Sequence, residues 1–176
     1  MVWITLLATA AIFATTLLAC VSDVRSLKIP NLYSIIILAA FVPAVLATPD
    51  LFGKWWEHLG AMGVIFIITY LMFAAGMMGG GDTKLGSALA LWVGLPGVLP
   101  YVIWMGFSGG IVALLSIYFK KKKPFKSPRA GSWVAQVQEG RNAVPYGLAI
   151  SFGAWAALWH KGFITHQLDE VLKAIN

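Results

Sequence analysis

The stretch 2–21 contains no charged side chain, and a helix of that length reaches across the roughly 30 Å hydrocarbon core of a bilayer. Five more apolar runs follow, at 32–47, 59–78, 85–99, 101–119 and 143–159. Repeated apolar runs of this length leave few solutions, because backbone polar groups in lipid must be paired within their own segment or across a closed barrel. The periodicity favours helices: the runs are continuous, not alternating. Composition agrees. Hydrophobic residues make up 59% of the 176 positions and charged residues 11%, against about 25% in soluble domains. That balance excludes a disordered chain, a collagen and a disulfide-rich scaffold, and leaves too little polar surface for a soluble enzyme. The expected fold class is all-α, a polytopic membrane protein of six transmembrane helices. Residues 1–160 are expected to form a single membrane domain with a polar loop at about 120–142, and 161–176 an amphipathic tail.

The boundary between the fourth and fifth runs rests on Gly94, Pro96, Gly97 and Pro100, which supply turn chemistry in the middle of 35 residues too long for one span. Charge supports the split. With six spans and the amino terminus outside, the inner segments 22–31, 79–84 and 120–142 carry ten Lys and Arg, and the outer face carries three (Lys54, Lys161 and Lys173). Basic residues concentrate on the cytoplasmic side. Merging the two runs would put Arg25 and the Lys120–Lys123 cluster on opposite faces. The expected form is therefore a multi-pass membrane protein with Arg25 and the Lys120–Lys123 cluster on the cytoplasmic face. Cys20 is the sole cysteine, so no internal disulfide forms. It closes a Leu17-Leu18-Ala19-Cys20 stretch like a lipoprotein box, but the first basic residue, Arg25, comes after the apolar run and not before it.

Residues 1–119 hold eight charges, and two of them are Asp23 and Asp82, at the inner ends of the first and third runs. A charge at membrane depth is costly and is normally paired or functional. Each aspartate has a nearby cation, Arg25 or Lys84, so an ordinary ion pair in a solvated loop is one reading. Gly79, Gly80 and Gly81 immediately before Asp82 offer another: a backbone that a second chain can approach closely, although a helix C-cap also uses glycine. Two carboxylates that meet in a poorly hydrated site share a proton, and such a pair can activate water and protonate a scissile amide. Other catalytic plans are poorly served. No His-Glu-x-x-His or Gly-x-Ser-x-Gly is present, and His58, His160 and His166 all fall on the outer side of this topology. No metal, cofactor or nucleic-acid partner is expected; the partners implied are the lipid bilayer and a substrate. A small proton-coupled transporter using the aspartates, or a non-catalytic scaffold in a secretion machine, are the alternatives.

The motifs carry a family resemblance. Gly79-Gly80-Gly81-Asp82 resembles the Gly-x-Gly-Asp signature of intramembrane aspartic proteases, and its continuation through Thr83 and Lys84 resembles the form found in prepilin peptidases, the type IV leader peptidases. The segment from Asp23 through Arg25 and Lys28 to Pro30 and Asn31 is similar to that family's first catalytic segment, and Pro145-Tyr146-Gly147 to a recurring element before its last span. The resemblance implies an aspartic endopeptidase with Asp23 and Asp82 as the catalytic pair, site-shaping roles for the other motif residues, no cofactor, and a prepilin or pseudopilin precursor as substrate. Cleavage would occur at the cytoplasmic face, after a short basic leader. With one cysteine and no added amino-terminal domain, the chain resembles the short, peptidase-only form associated with Flp or tight-adherence pili. The run Lys120–Lys123 suits an anchor to anionic lipid, and 133–138 an interfacial helix near the site.

Overall fold

The computed structural model describes residues 1–175. Among them are nine α-helices and one 3-10 turn, and no strand. The helices are α1 (Val2–Ser26), α2 (Asn31–Ala47), α3 (Pro49–Phe52), α4 (Trp55–Ala74), α5 (Gly80–Val93), α6 (Val98–Lys122), α7 (Trp133–Gln138), α8 (Tyr146–His160) and α9 (Phe163–Ile175). Three segments are long and apolar enough to cross a membrane: Val2–Ser26, Trp55–Ala74 and Leu95–Lys122. Helix α2 is apolar and a little shorter. The outward faces carry the side chains that lipid would solvate, such as Leu7, Ile67, Leu99 and Phe107, all more than half exposed.

Helix α5 is the axis of the bundle. Its fourteen residues reach about 21 Å, and everything from Leu85 to Val93 is buried. Leu85, Leu89, Trp92 and Val93 touch no solvent at all. Helices α2, α4 and α8 pack around it, and α1 and α6 close the outside. Successive long helices alternate in direction. Thr5 near the start of α1 bonds to the end of α2 through the Ala44 carbonyl and Thr48, and the Thr83 hydroxyl at the start of α5 donates to Thr69 toward the end of α4. The Lys120–Lys122 end of α6 therefore lies at the same end of the bundle as Arg25.

One boundary differs from the sequence expectation. The glycine run neither caps the preceding helix nor forms a loop. Helix α4 stops at Ala74, and Gly76, with φ of 71°, makes the left-handed turn after it. Gly79 is then the N-cap of α5, and the next three residues are its first turn. The physical cause is Asp82: at the third helical position its Oδ2 accepts the otherwise unpaired Gly79 amide at 3.1 Å. A carboxylate is also favoured at that end of the helix dipole. The tail forms α9, with Phe163 buried against Phe52 and Trp92. Exposed Leu168 and Leu172 share the surface of this helix with Lys173.

Candidate active site

Helix α1 ends one turn after Asp23. Leu27 takes φ of 52° and its amide donates to the Asp23 carbonyl at 2.7 Å. A left-handed leucine is unfavourable, but it turns the chain sharply, so that Lys28, Ile29 and Pro30 cross toward the start of α5. The Ser22 hydroxyl pins this linker by donating to the Lys28 carbonyl at 2.7 Å. Gly81 is where the crossing becomes tight: a Cβ there would stand 3.0 Å from the Ile29 carbonyl oxygen and 3.1 Å from the Ile29 Cβ. Glycine lets the α1–α2 linker lie against α5, and that brings the two aspartates together.

They line one cavity of about 480 Å³, walled by Asp23, Leu27–Asn31 and Gly79–Asp82. Asp23 reaches it from the last turns of α1 and Asp82 from the first turn of α5. Asp23 is 4% exposed. Its Oδ2 accepts the Gly147 amide, at the start of α8, at 2.8 Å. Gly147 is the second tight approach, since a Cβ on it would stand 2.9 Å from Asp23 Oδ2 and 2.9 Å from Ile29 Cδ1. Each carboxylate is thus held by one backbone amide through one oxygen. Asp82 Oδ1 is buried and has no hydrogen-bond partner. Among the described residues neither aspartate forms an ion pair; the salt bridges lie elsewhere, at Lys54–Glu57 and Glu170–Lys173. Lys84 turns away from Asp82 and its Nζ donates to Asn31 Oδ1 at 2.9 Å.

A model of the type IV leader peptidase family matches residues 10–114, more than half of the chain. The chain belongs to the type IV leader peptidase family. The matched stretch holds both aspartates and the entire wall of the cavity they share. Comparison with curated proteins and with solved structures gives no match.

Most of the residues singled out from the sequence of this leader peptidase family member meet around that cavity. Asp23, Lys28, Pro30, Asn31, Gly79, Gly80, Gly81 and Asp82 line it directly. Lys84 borders it through Asn31, and Gly147 supports it from α8. Pro145 is the N-cap of α8. Tyr146 faces a separate cavity with Lys120 and Arg141. Arg25 is not brought to the site: it is exposed and lines another pocket with Phe125, Lys126 and Arg129. Helix α7 lies at the same end, where buried Trp133 donates to Ser116 and to the Ala143 carbonyl. Sequence reasoning missed Leu27 and Ile29. Arg25 in the last turn and Pro30 beyond it are sequence signals for a helix end here, but nothing local marks a leucine for positive φ.

Proposed function

We propose that this family member is a membrane-embedded aspartic endopeptidase that removes the leader of prepilin-like precursors, with Asp23 and Asp82 as the catalytic pair. The observation that carries the reading is the single cavity lined by two carboxylates from different helices, Asp23 buried and Asp82 partly buried, each fixed by one amide. In this mechanism a water sits between the aspartates. One carboxylate takes a proton from it as the water oxygen attacks the scissile carbonyl carbon, and the other donates its proton to the carbonyl oxygen. The tetrahedral intermediate then collapses. The C–N bond breaks as the aspartate that took the water proton passes it to the leaving amine nitrogen, and a hydroxyl of the intermediate returns its proton to the other aspartate as the product carboxyl forms, so the pair again holds one proton. The amides of Gly79 and Gly147 orient the carboxylates before substrate arrives, and pre-positioning of this kind lowers the barrier. Base and acid belong to the pair and not to either residue.

The proposed topology is six spans with the amino terminus outside and the aspartates at the cytoplasmic face of the bacterial inner membrane. It is supported by the alternation of helix directions and the gathering of Arg25, Lys84 and Lys120–Lys123 at one end. The precursor enters laterally, with its apolar segment in lipid and its basic leader in the cytoplasm. Incubation of the purified protein with a prepilin precursor tests the activity: Asp23→Ala and Asp82→Ala should each abolish cleavage in folded protein, and cleavage at the wild-type rate by either would overturn the dyad. Reporter fusions near residues 26 and 125 should both read cytoplasmic, and one near 53 external; opposite sides for 26 and 125 would overturn the topology.

A further inference from the structure

A second space opens beside the catalytic cavity. It is a groove of about 380 Å³ between α2 and α4, floored by α5. Its α2 wall is Asn31, Ser34, Ile35 and Leu38, which share one helix face by their spacing. Phe66 stands on the α4 side, and the small Ser87 and Ala88 form the floor. Ile35 and Phe66 are 59% and 45% exposed, so the groove opens toward the lipid. It adjoins the candidate catalytic cavity, since Asn31 lines both, and the Lys84–Asn31 hydrogen bond lies at that shared wall.

Ser34 indicates the chemistry of the occupant. It is 5% exposed and its hydroxyl has no partner. Several other buried hydroxyls satisfy themselves on the carbonyl one turn back: Thr9 on Thr5, Thr69 on Ile65, Ser87 on Thr83 and Ser116 on Val112. Ser151, inside α8, also lacks a partner, but among these unpaired hydroxyls Ser34 is the one that lines the groove. An unpaired buried hydroxyl costs free energy, and an acyl chain cannot satisfy it. A peptide backbone can, while its apolar side chains fill the rest of the groove.

We infer that this groove seats the apolar segment of the precursor, on the carboxyl side of the scissile bond, with the Ser34 hydroxyl bonding its backbone. The inference rests on the peptidase reading and names where that reading's substrate lies. Asn31 then marks the point at which the chain passes from the groove to the aspartates.

The test uses the full chain in lipid vesicles and a synthetic precursor with a basic leader, a glycine at the cut and about 20 apolar residues. Leu38→Trp should raise KM about tenfold with kcat little changed, the pattern of lost binding that is uniform through the reaction. Ser34→Ala should move KM in the same direction by less. Ile67→Trp, on an exposed α4 position outside the groove, should change neither constant. A second measurement does not depend on turnover: in an Asp82→Asn background, the thiol introduced by Leu38→Cys should be protected from a membrane-permeant maleimide by saturating precursor. An unchanged KM in Leu38→Trp overturns the assignment. Equal labelling with and without precursor overturns it too, and identifies the groove as filled by lipid. If the wild-type chain cuts the precursor while the groove variants behave like it, the groove alone is refuted; if the wild-type chain leaves the precursor uncut, the peptidase reading falls and the groove assignment with it.

Discussion

The two ends of the bundle treat buried polar groups in opposite ways. At the end remote from the aspartates, His58 is 1% exposed and its ring lies between two backbone carbonyls, with Nδ1 2.6 Å from the Leu91 oxygen and Nε2 2.9 Å from the Phe52 oxygen. Around it Phe41, Phe52, Trp92 and Phe163 pack edge to face, and the Trp92 indole N–H donates to the Ile37 carbonyl at 2.9 Å. Buried Gln167 on α9 donates to the Thr9 hydroxyl, and the Lys161 ammonium reaches the Val93 carbonyl at the end of α5. Each of these polar side chains is engaged with the protein. At the aspartate end one carboxylate oxygen is buried without a partner, and the groove beside it holds an unpaired hydroxyl. In so apolar a chain every buried polar atom carries a cost. Where the fold satisfies that atom, the group is structural; where it leaves the atom open next to a cavity, the group is available to a substrate.

The sharpest way to break this contrast is to exchange the consequences. Asp23→Asn or Asp82→Asn should lower precursor cleavage by about 10²–10⁴, the range for loss of a general acid or base, and leave the thermal midpoint in detergent near the wild-type value. A variant that unfolds instead would make the pair structural. His58→Ala should do the reverse. It removes the ring from the Leu91 and Phe52 carbonyls and opens a cavity in the aromatic cluster, at about 3 kcal/mol, read as a lowered midpoint. The protein that remains folded should cleave at its normal rate; loss of turnover at unchanged stability would erase the distinction between the ends. Gly147→Ala is a finer probe. The added methyl would sit 2.9 Å from Asp23 Oδ2, so the carboxylate must shift, and activity should fall about tenfold from misplacement with little change in KM. Lys173→Ala removes an exposed pair with Glu170 and should change neither activity nor midpoint, since such surface pairs contribute little.

Much of the aspartate end was legible in the sequence because charges are so scarce there. With eight in the first 119 residues, Asp23 and Asp82 stand out by their rarity alone, and the glycines beside Asp82 advertise close approach. The start of α5 was not legible. Hydropathy places an element where side chains are apolar, whereas this helix begins on two glycines and an aspartate held by a capping bond, five residues ahead of its first leucine. His58 was hidden for the opposite reason. In sequence it sits among Lys54, Trp55, Trp56 and Glu57 and reads as part of an outer loop; its burial depends on Phe41, Phe52 and Leu91, which come from three other helices. Gly147 was flagged by resemblance, but its role toward Asp23 is a contact between distant segments that no local pattern encodes. The same holds for Arg25, which shares a segment with Asp23 yet points into a different pocket.

The bond from the Gly147 amide to Asp23 joins residues 124 positions apart, and this has a consequence for biogenesis. A ribosome adding about 5–20 residues per second delivers Asp23 and Asp82 well before the amide that orients the first of them. The nascent protein therefore passes several seconds with both acids made and the pair unaligned. On the proposed reading, the pair becomes competent only when the last third of the chain has been made and docked, so the order of synthesis itself delays activity.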